Sequence, residues 1–472
     1  MRFPLALTAK IAAHIVKHKV RRTPKFALVL QLEPLHTCNL TCTGCGRIRE
    51  YSTSLKDMMS LEDCLGSAVE CDAPMVSICG GEPLIYRKIE ELVNGILAQG
   101  RIVYVCTNGM FMRKKMRDYL AAIYSPSLEP KIKKLVEEKL ISDKDAETIR
   151  KSDEAARSKV VIRPTKWMYW NVHIDGLEYT HDLIVEREGV FKECVEAIRM
   201  AKILGYQIAT NTTVYKETDV KEIEQMFEYF SSLEVDGHTI SPGYEYDAAK
   251  KDMVKRLHKQ PEDFFLTRKM TRDKFAKMEE WGERFTIFGT VVYQEFLAGK
   301  RELTCTAWAI PTRNIKGWKA PCYLMTDGHY DRYQEMLEKV DWNKYGVVDG
   351  VARDPRCENC MVHCGYDPSG ALSPKLSDSW KNMKYNFGPK PKPYYQGKNV
   401  FAFNGVSIGK GHLAEAKAAI NPAASARGAF SRKEETHEQH VGTFCGGNGD
   451  TAQRDELLAK IREAKNLEPK SG

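Results

Sequence analysis

Shortly after an apolar run at residues 27–32, the chain reads HTCNLTCTGC at residues 36–45. This segment places Cys38, Cys42 and Cys45 at C-x3-C-x2-C spacing. Cysteine thiolates are soft ligands that suit iron–sulfur clusters. Three of them leave one iron of a 4Fe–4S cluster without a protein ligand, so a substrate or a cofactor can coordinate there. Structural zinc, the alternative, requires four ligands, and the nearest other cysteine, Cys64, lies in a helical pattern.

A second motif, Gly80-Gly81-Glu82-Pro83, ends the second predicted strand. Its two glycines let the backbone approach a ligand closely, and Glu82 can accept hydrogen bonds from an ammonium group. Alone, the motif would be an ordinary strand-to-helix turn. After a three-cysteine loop, it resembles the SAM-binding motif of the radical S-adenosylmethionine (SAM) superfamily. The resemblance implies a 4Fe–4S cluster whose open iron holds the amino and carboxylate groups of SAM.

Composition and charge describe an ordinary globular protein of two or three domains, with 472 residues, 43% of them hydrophobic and 28% charged. Fourteen cysteines without a secretory signal favour reduced thiols and metal ligation over disulfides. No run of eighteen apolar residues occurs, so we expect a cytoplasmic protein without a membrane span. The net charge of +8 allows peripheral contact with an anionic membrane. No interleaved aromatic and basic pattern occurs, and we expect no nucleic-acid partner.

Short apolar strands alternate with helical patterns between residues 27 and 245. Alternation of this kind predicts an α/β fold in which helical crossovers join parallel strands. Six such units suit a partial (β/α)6 barrel, the fold of the superfamily, in which the chemistry lies at the C-terminal ends of the strands. The predicted strands are 27–32, 75–79, 101–106, 169–174, 207–214 and 238–241.

The remaining segments divide the chain further. Residues 1–26 contain a basic amphipathic helix, which we expect either to cover the open end of the barrel or to dock on an anionic membrane. The barrel is assigned to 27–300, with a surface helical hairpin inserted at 126–163. A cysteine-rich domain follows at 301–385. The extension at 386–472 is predicted to be mobile, because it lacks sustained apolar periodicity.

Polar residues alternate along the fourth and fifth predicted strands. Asn171, His173 and Asp175 fall on one face, which should look into the barrel, and Asn211 and Thr213 have similar positions on the next strand. Corresponding positions in the superfamily contact the ribose or carboxylate of SAM. Polar caps of barrel strands are the structural alternative for each residue.

Cys106 closes the third predicted strand. A free cysteine is often a small buried core residue. A thiol at the C-terminal end of a barrel strand could instead donate a hydrogen atom to a carbon radical, because its S–H bond is weak. Both interpretations stay open from the sequence.

A second cysteine group follows the barrel. Cys305 and Cys322 precede a C-x2-C-x3-C run at Cys357, Cys360 and Cys364. This arrangement resembles the SPASM or twitch domains of radical SAM enzymes, which hold an auxiliary cluster. An auxiliary 4Fe–4S cluster is the preferred interpretation, and His363 is a further potential ligand. Structural zinc and a group of reduced thiols are the alternatives.

Both cysteine groups together resemble those of hopanoid-associated radical SAM proteins, the adenosylhopene (adenosylhopane) synthases. The resemblance runs from about residue 4 to 385, without the insertion. It is carried by the segments 32–35, 80–83, 104–108, 173–176, 241–244, 314–318 and 360–366.

The resemblance implies a reaction in which SAM is consumed. A 5′-deoxyadenosyl radical adds to the terminal alkene of diploptene (hopene), and a hydrogen atom, for which Cys106 is the candidate donor, quenches the product radical. Adenosylhopane results, and a flavodoxin or ferredoxin supplies the electron. A maturase that modifies a peptide or protein is the alternative enzyme, and a non-catalytic metal-binding scaffold is the remote alternative.

Overall fold

The computed structural model describes residues 2–51, 54–392, 402–403 and 406–407. Its main feature is one sheet with the strand order β6-β5-β4-β3-β2-β1-β7-β8-β9. The nine strands are β1 (Val29–Glu33), β2 (Met75–Ile78), β3 (Ile102–Thr107), β4 (Met168–His173), β5 (Gln207–Val214), β6 (Gly237–Pro242), β7 (Thr312–Asn314), β8 (Gly317–Pro321) and β9 (Thr326–Tyr330). Two short antiparallel pairs complete the described strands: β10 (Val347–Val348) with β11 (Val351–Ala352), and β12 (Ala402–Phe403) with β13 (Val406–Ser407).

Strands β1 to β6 are parallel neighbours in chain order, as the alternation of strands and helices predicts. Their limits lie within two residues of the predicted ones, and β5 matches at both ends. Strand β1 begins later than predicted because the Leu28 N–H donates to the Ala309 carbonyl, outside the β1–β2 ladder. The mixed α/β fold with a parallel sheet is therefore confirmed.

Helices connect the parallel strands and cover the outside of the sheet. The described helices are α1 (Leu5–Val20), α2 (Arg47–Glu50), α3 (Leu61–Cys71), α4 (Ile89–Ala98), α5 (Met112–Ile123), α6 (Glu129–Glu137), α7 (Asp143–Arg150), α8 (Glu154–Arg157), α9 (Glu178–Ile184), α10 (Val190–Leu204), α11 (Val220–Ser232), α12 (Asp247–Leu257), α13 (Arg268–Lys274), α14 (Met278–Arg284), α15 (Val291–Leu297), α16 (Tyr333–Lys339), α17 (His363–Ala371) and α18 (Leu376–Phe387). Among the described residues, no helix is both long and apolar enough to span a bilayer.

The sheet continues into the cysteine-rich region. Strand β7 pairs in parallel with β1, and β8 and β9 then add antiparallel strands at the same edge. The two regions predicted as separate domains thus share one sheet, and the five later cysteines are held against the mouth of the barrel.

Helix α1 lies across the N-terminal ends of the central strands. Leu7 is fully buried and packs in one apolar cluster with Ile102, Tyr104, Tyr169 and Ala209. These contacts cover the open end of the barrel, so the apolar face of α1 is used inside the molecule. The covering role named in the sequence analysis matches this packing better than docking through the same face.

The insertion forms the helices α6 and α7, followed by the short α8. Ile132, Leu135 and Ile149 are buried in the main core, so this segment is more than a surface hairpin. Most of the predicted mobile extension, from residue 393 onwards, lies outside the described residues.

Candidate active site

The three-cysteine loop lies at the C-terminal end of β1, where the barrel fold places chemistry. Cys38 is buried, while Cys42 and Cys45 are half-buried. Burial, and then the neighbouring thiols of Cys45 and Cys38, raise the pKa of Cys42. The thiols of Cys38 and Cys45 are thus close enough to that of Cys42 to act on it. Soft donors from one loop, at the C-terminal ends of the barrel strands, fit a 4Fe–4S cluster with one iron left for another ligand.

The Gly80–Pro83 turn packs directly against this loop. The backbone N–H groups of Gly81 and Glu82 donate to the carbonyls of Leu35 (3.0 Å) and Thr37 (2.9 Å). A Cβ at Gly81 would lie 2.0 Å from the Thr37 oxygen, and one at Gly80 would lie 2.2 Å from the Leu35 oxygen. Only glycine fits this approach, so the two glycines lock the turn and the cysteine loop together.

Glu82 lies buried beneath the loop and joins it to the end of β3. Its carboxylate accepts hydrogen bonds from Thr107 Oγ1 (2.7 Å), Asn108 N (2.8 Å) and Leu84 N (3.0 Å). Burial raises the pKa of Glu82 to about 7, although these donors oppose the shift. A cationic ammonium group would favour the ionised form, which is the behaviour expected of a SAM amino-group ligand.

Asn108 connects the end of β3 to the cysteine loop. Its Nδ2 donates to Asn39 Oδ1 at 2.7 Å and lies 3.8 Å from the Cys38 sulfur. A hydrogen bond near a ligating sulfur tunes a cluster through its outer shell. Asn108 is therefore a further candidate site residue, for which the sequence predicted no role.

The polar face of β4 is held by contacts with β3 and β5. Asn171 lies opposite Cys106 in the β3–β4 ladder, and its Nδ2 is 3.5 Å from the Cys106 sulfur. His173 lies opposite Asn211 in the next ladder. Among the residues that the structure describes, Asn171 Oδ1 is buried without a hydrogen-bond partner. This oxygen is available to a polar group bound in the barrel.

Asp175 organises the far end of β4. Its Oδ1 accepts from the Thr213 backbone N–H at 2.7 Å, and its Oδ2 lies 2.8 Å from His173 Nε2. Burial lowers the pKa of His173, but the Asp175 carboxylate raises it by more, so that this pKa lies above its ordinary value. His181, on α9, accepts from the Asp175 N–H at 3.2 Å. Asp175 is fully buried, so it serves to hold His173 and Thr213 in place more readily than to contact SAM directly.

Cys106 is half-buried at the C-terminal end of β3. Its sulfur lies 3.2 Å from Ser77 Oγ on β2, in addition to the Asn171 contact. Burial raises the pKa of Cys106, so the group stays a thiol at neutral pH. A thiol that keeps its hydrogen at the C-terminal end of a barrel strand is the chemical form needed of a hydrogen-atom donor.

Cys79 is a second thiol in this chamber, which the sequence analysis did not nominate. Burial, followed by Glu33 and Cys106, raises its pKa. Ser77 and Cys79 are two residues apart, and the period of a strand gives them the same side. This alternation within residues 77–83 was the sequence signal that could have identified Ser77 and Cys79 as residues of the chamber.

The five later cysteines line one cavity of about 230 Å³. Besides burial, the thiols of Cys360, Cys322 and Cys357 raise the pKa of Cys305, and those of Cys322, Cys360 and Cys305 raise the pKa of Cys364. A cavity of this size is larger than one ion needs, since about 10–15 Å³ of such space already admits a water molecule. The set fits an iron–sulfur cluster, which uses four thiolates and leaves one thiol over.

His363 does not join this cavity, although it lies within the cysteine run. Its Nδ1 is 3.2 Å from Ser241 Oγ, at the end of β6, and burial lowers its pKa to about 4. The histidine thus faces the barrel mouth and is better described as a contact between the two cysteine sites than as a ligand.

Two further connections join the sites. The OH of Tyr246 accepts from Gly46 N at 2.6 Å, next to Cys45, while Tyr244 lines the five-cysteine cavity. The guanidinium carbon of Arg47 lies 5.1 Å from the ring centre of Tyr246 and 4.4 Å from that of Tyr323. Arg47 also lies 2.8 Å from Glu50, which pairs with the buried Lys319 at 2.7 Å. Buried charges are costly unless paired, so these pairs fix the geometry between the two sites.

Two family models each match a part of this chain that holds one of the cysteine groups. Residues 32–142 match the model of the radical SAM superfamily, and residues 238–385 match a domain of unknown function, DUF3463. The 7-carboxy-7-deazaguanine synthase of Aquifex aeolicus (strain VF5) is 29% identical over 145 residues, 28% of this chain. The match spans 66% of that synthase, slightly less than two thirds of its length.

Solved structures that partly resemble this chain include SuiB of Streptococcus suis bound to its precursor peptide SuiA, at 13% identity and a TM-score of 0.43, covering 83% of this chain and 80% of that one. Native anSMEcpe with bound AdoMet and a Cp18Cys peptide is 16% identical at a TM-score of 0.42, covering 76% and 97%. The fold, the cysteine loop and the superfamily match support a radical SAM enzyme. That superfamily implies a 4Fe–4S cluster and SAM as cofactors.

Proposed function

We propose that this protein joins the adenosyl group of SAM to the terminal alkene of an apolar triterpene, diploptene, and forms adenosylhopane. The observation that supports the chemistry is the Cys106 thiol, which lies at the barrel mouth between Ser77 and Asn171. The identity of the alkene rests on the resemblance of residues 4–385 described above. Radical SAM chemistry in general rests on the superfamily match.

Cys38, Cys42 and Cys45 would hold the cluster, and Glu82 would receive the amino group of SAM. When bound and reduced, the cluster and SAM supply a 5′-deoxyadenosyl radical. Asn171 and His173, on the same face of β4, would orient the ribose and the carboxylate. Cys106 holds a hydrogen atom on its sulfur on that side of the chamber and delivers it to the substrate carbon.

The proposed reaction requires electrons and a proton in addition to SAM and the alkene. A bond forms between the 5′ carbon and the terminal alkene carbon, and methionine leaves. One electron enters from a flavodoxin or ferredoxin, and one hydrogen atom passes from Cys106 to the adjacent tertiary carbon. The sulfur-centred radical left on Cys106 then takes one electron and one proton from a reductant of the same class.

The test is anaerobic incubation of the holoenzyme with SAM, dithionite and diploptene in D2O. The Cys106 thiol exchanges with solvent, so the adenosyl adduct should carry one deuterium at the quenched carbon. Cys106→Ala should still cleave SAM but lose this labelled product, whereas Cys71→Ala, at a buried thiol outside both sites, should behave as the wild type. Unchanged labelled product from Cys106→Ala would exclude Cys106 as the donor. Absence of any adduct from the wild-type enzyme, despite SAM cleavage, would exclude diploptene.

A triterpene substrate requires access from a membrane, and we place that contact at α18 instead of α1. Four apolar residues of α18 at helical spacing are exposed: Leu376 (86%), Trp380 (62%), Met383 (42%) and Phe387 (40%). The opposite side of α18 is anchored by Asp378, whose carboxylate pairs with Arg301 at 3.0 Å. An apolar stripe with a Trp, flanked by the exposed Lys375 and Lys384, suits an anionic bilayer surface.

Flotation with vesicles tests this contact. The holoenzyme should float with phosphatidylglycerol vesicles and much less with phosphatidylcholine vesicles. Trp380→Ser should weaken flotation several-fold, whereas Val254→Ser, at an exposed apolar residue of α12, should leave it unchanged. Equal flotation of the Trp380→Ser variant and the wild type would contradict the assignment.

A further inference from the structure

Two histidines of α1 and one aspartate lie together, and none of the three is among the residues that line the five-cysteine cavity. One ligand atom from each of His14, His18 and Asp72 lies within 4.8 Å of the others. Asp72 is the residue after α3, where the chain turns towards β2. We propose that His14, His18 and Asp72 bind a divalent transition-metal ion, for which zinc is the probe.

The histidines have the spacing and the partners that such a site needs. Residues at i and i+4 share one face of a helix, and the two imidazole ring centres are 4.5 Å apart. His14 Nε2 lies 2.9 Å from the carbonyl oxygen of Ala27, which leaves Nδ1 to face the site. A metal-binding histidine commonly donates its other N–H to a backbone carbonyl, and this bond fixes the ring orientation.

His18 gives the independent observation. Both of its ring nitrogens are buried and, within the described part of the chain, neither has a hydrogen-bond partner. Its ring is stacked on Phe26, with centres 4.3 Å apart and planes at 9°. A buried polar group without a partner is costly, and coordination of a metal by one nitrogen would satisfy it.

Asp72 supplies the anionic ligand. Its backbone has a left-handed conformation (φ 51°), which brings the carboxylate beneath α1. Donor atoms on one tetrahedral zinc ion lie about 3.4 Å apart, given metal–ligand distances of about 2.1 Å. Side-chain rotations that move each donor atom by roughly 1 Å would therefore bring the three donors to zinc-binding distances. Water would be the fourth ligand.

Two cations compete with a metal for Asp72. Lys17 Nζ lies 2.8 Å from one carboxylate oxygen, and Arg101 lies 3.5 Å from the other. The Lys17 pair is exposed, and such pairs contribute little to stability. A metal ion can thus displace Lys17, and it would hold α1 against the turn between α3 and β2.

Zinc binding to the tag-free holoenzyme tests the proposal. Variants that preserve local structure are available: His18→Phe keeps the stacking on Phe26, and Asp72→Asn suits the left-handed backbone. The wild type should bind one more equivalent of zinc than the double variant, which combines His18→Phe with Asp72→Asn. Each single variant should bind zinc at this site at least about tenfold more weakly than the wild type. Lys17→Gln should bind more tightly than the wild type, because it frees the carboxylate.

A spectroscopic readout assigns the binding to this site. Zinc should shift the imidazole ¹H–¹⁵N NMR signals of His18 in the wild type and in Lys17→Gln, but not in Asp72→Asn. The signals of His258, at the end of α12, should not change with zinc. Equal zinc stoichiometry and affinity in the wild type and the double variant, or unchanged His18 signals on zinc addition, would overturn the proposal.

Discussion

The three-cysteine loop takes its thiols from eight consecutive residues, 38–45, whereas the five-cysteine cavity takes them from sixty residues, 305–364. Two of the loop thiols, Cys42 and Cys45, are half-buried. The cavity joins the end of β8 to loops on either side of it. The contrast suggests a division of work: the first site leaves room for a reacting cofactor, and the second holds separate segments together.

Removing a loop cysteine should have the largest effect. Cys42→Ala should lose about four irons per chain, since it breaks a cluster that has only three protein ligands. Cleavage of SAM to 5′-deoxyadenosine should fall to background, as measured by chromatography after anaerobic reduction. The fold should survive, because the loop is also held by the Gly80–Pro83 turn. If Cys42→Ala still cleaved SAM, the two cysteine sites would not differ in function as proposed.

Removing a cavity cysteine should instead affect stability first. One cluster takes four thiolates, so alanine variants at four of the five positions should lose the auxiliary iron, and the fifth should keep it. The loss should lower the free energy of unfolding by about 2–4 kcal/mol, the scale of a cross-link that closes a long loop. Iron content and thermal unfolding measure both effects. If Cys42→Ala destabilised the fold more than Cys364→Ala does, the proposed division would be reversed.

Glu82 should make the first site sensitive to pH. Its pKa is raised to about 7 by burial, so the carboxyl is mostly protonated below that pH and ionised above it. A SAM ammonium group prefers the ionised form, and affinity for SAM should therefore increase as the pH rises towards 7 and level off above it. Glu82→Gln should bind SAM about ten- to a hundredfold more weakly and should lose this pH dependence. Calorimetric titration with SAM between pH 6 and 8.5 measures it.

Thr107→Val provides a control in which the charge of Glu82 is kept. Thr107 donates to the Glu82 carboxylate, and loss of this donor disfavours the ionised form. The pH midpoint of SAM binding should then move upwards. A downward shift would show that another group governs the pH dependence.

The smallest effects should come from two tyrosines of one segment. Tyr246→Phe removes the acceptor of the Gly46 N–H beside Cys45, which costs about 1–3 kcal/mol locally. The rate of SAM cleavage should fall several-fold. Tyr244→Phe removes a hydrogen bond to the Arg356 carbonyl beside the cavity, so it should lower thermal stability and leave SAM cleavage close to the wild type. The same response in both variants would show that the sites act as one unit.

The first site could be predicted from sequence because its geometry is local. Cys38, Cys42 and Cys45 share one loop, and the apolar periodicity of β1 to β6 places that loop at a strand end. The second site could not be resolved, because convergence of Cys305 with Cys364 depends on β7, β8 and β9. These strands are short, and Thr312–Asn314 has no apolar alternation, so sheet pairing decides them more than intrinsic preference does.

Other features need the tertiary structure. The amphipathic pattern of α1 was visible, but its partner residues come from β3, β4 and β5. The position of Asp72 beneath His14 and His18 depends on that docking. Cys79 was within the second predicted strand, and only its proximity to Cys106 indicates a possible role for the thiol.

The docking of α1 also orders events during synthesis. Leu7 leaves the ribosome about 200 residues before Ala209, one of its partners in the floor of the barrel. At about 5–20 residues per second, the apolar face of the helix waits on the order of 10–40 s for its binding surface. During that interval the nascent chain presents a basic amphipathic segment to its surroundings. Helix α1 is thus made well before the strands that bury its apolar face.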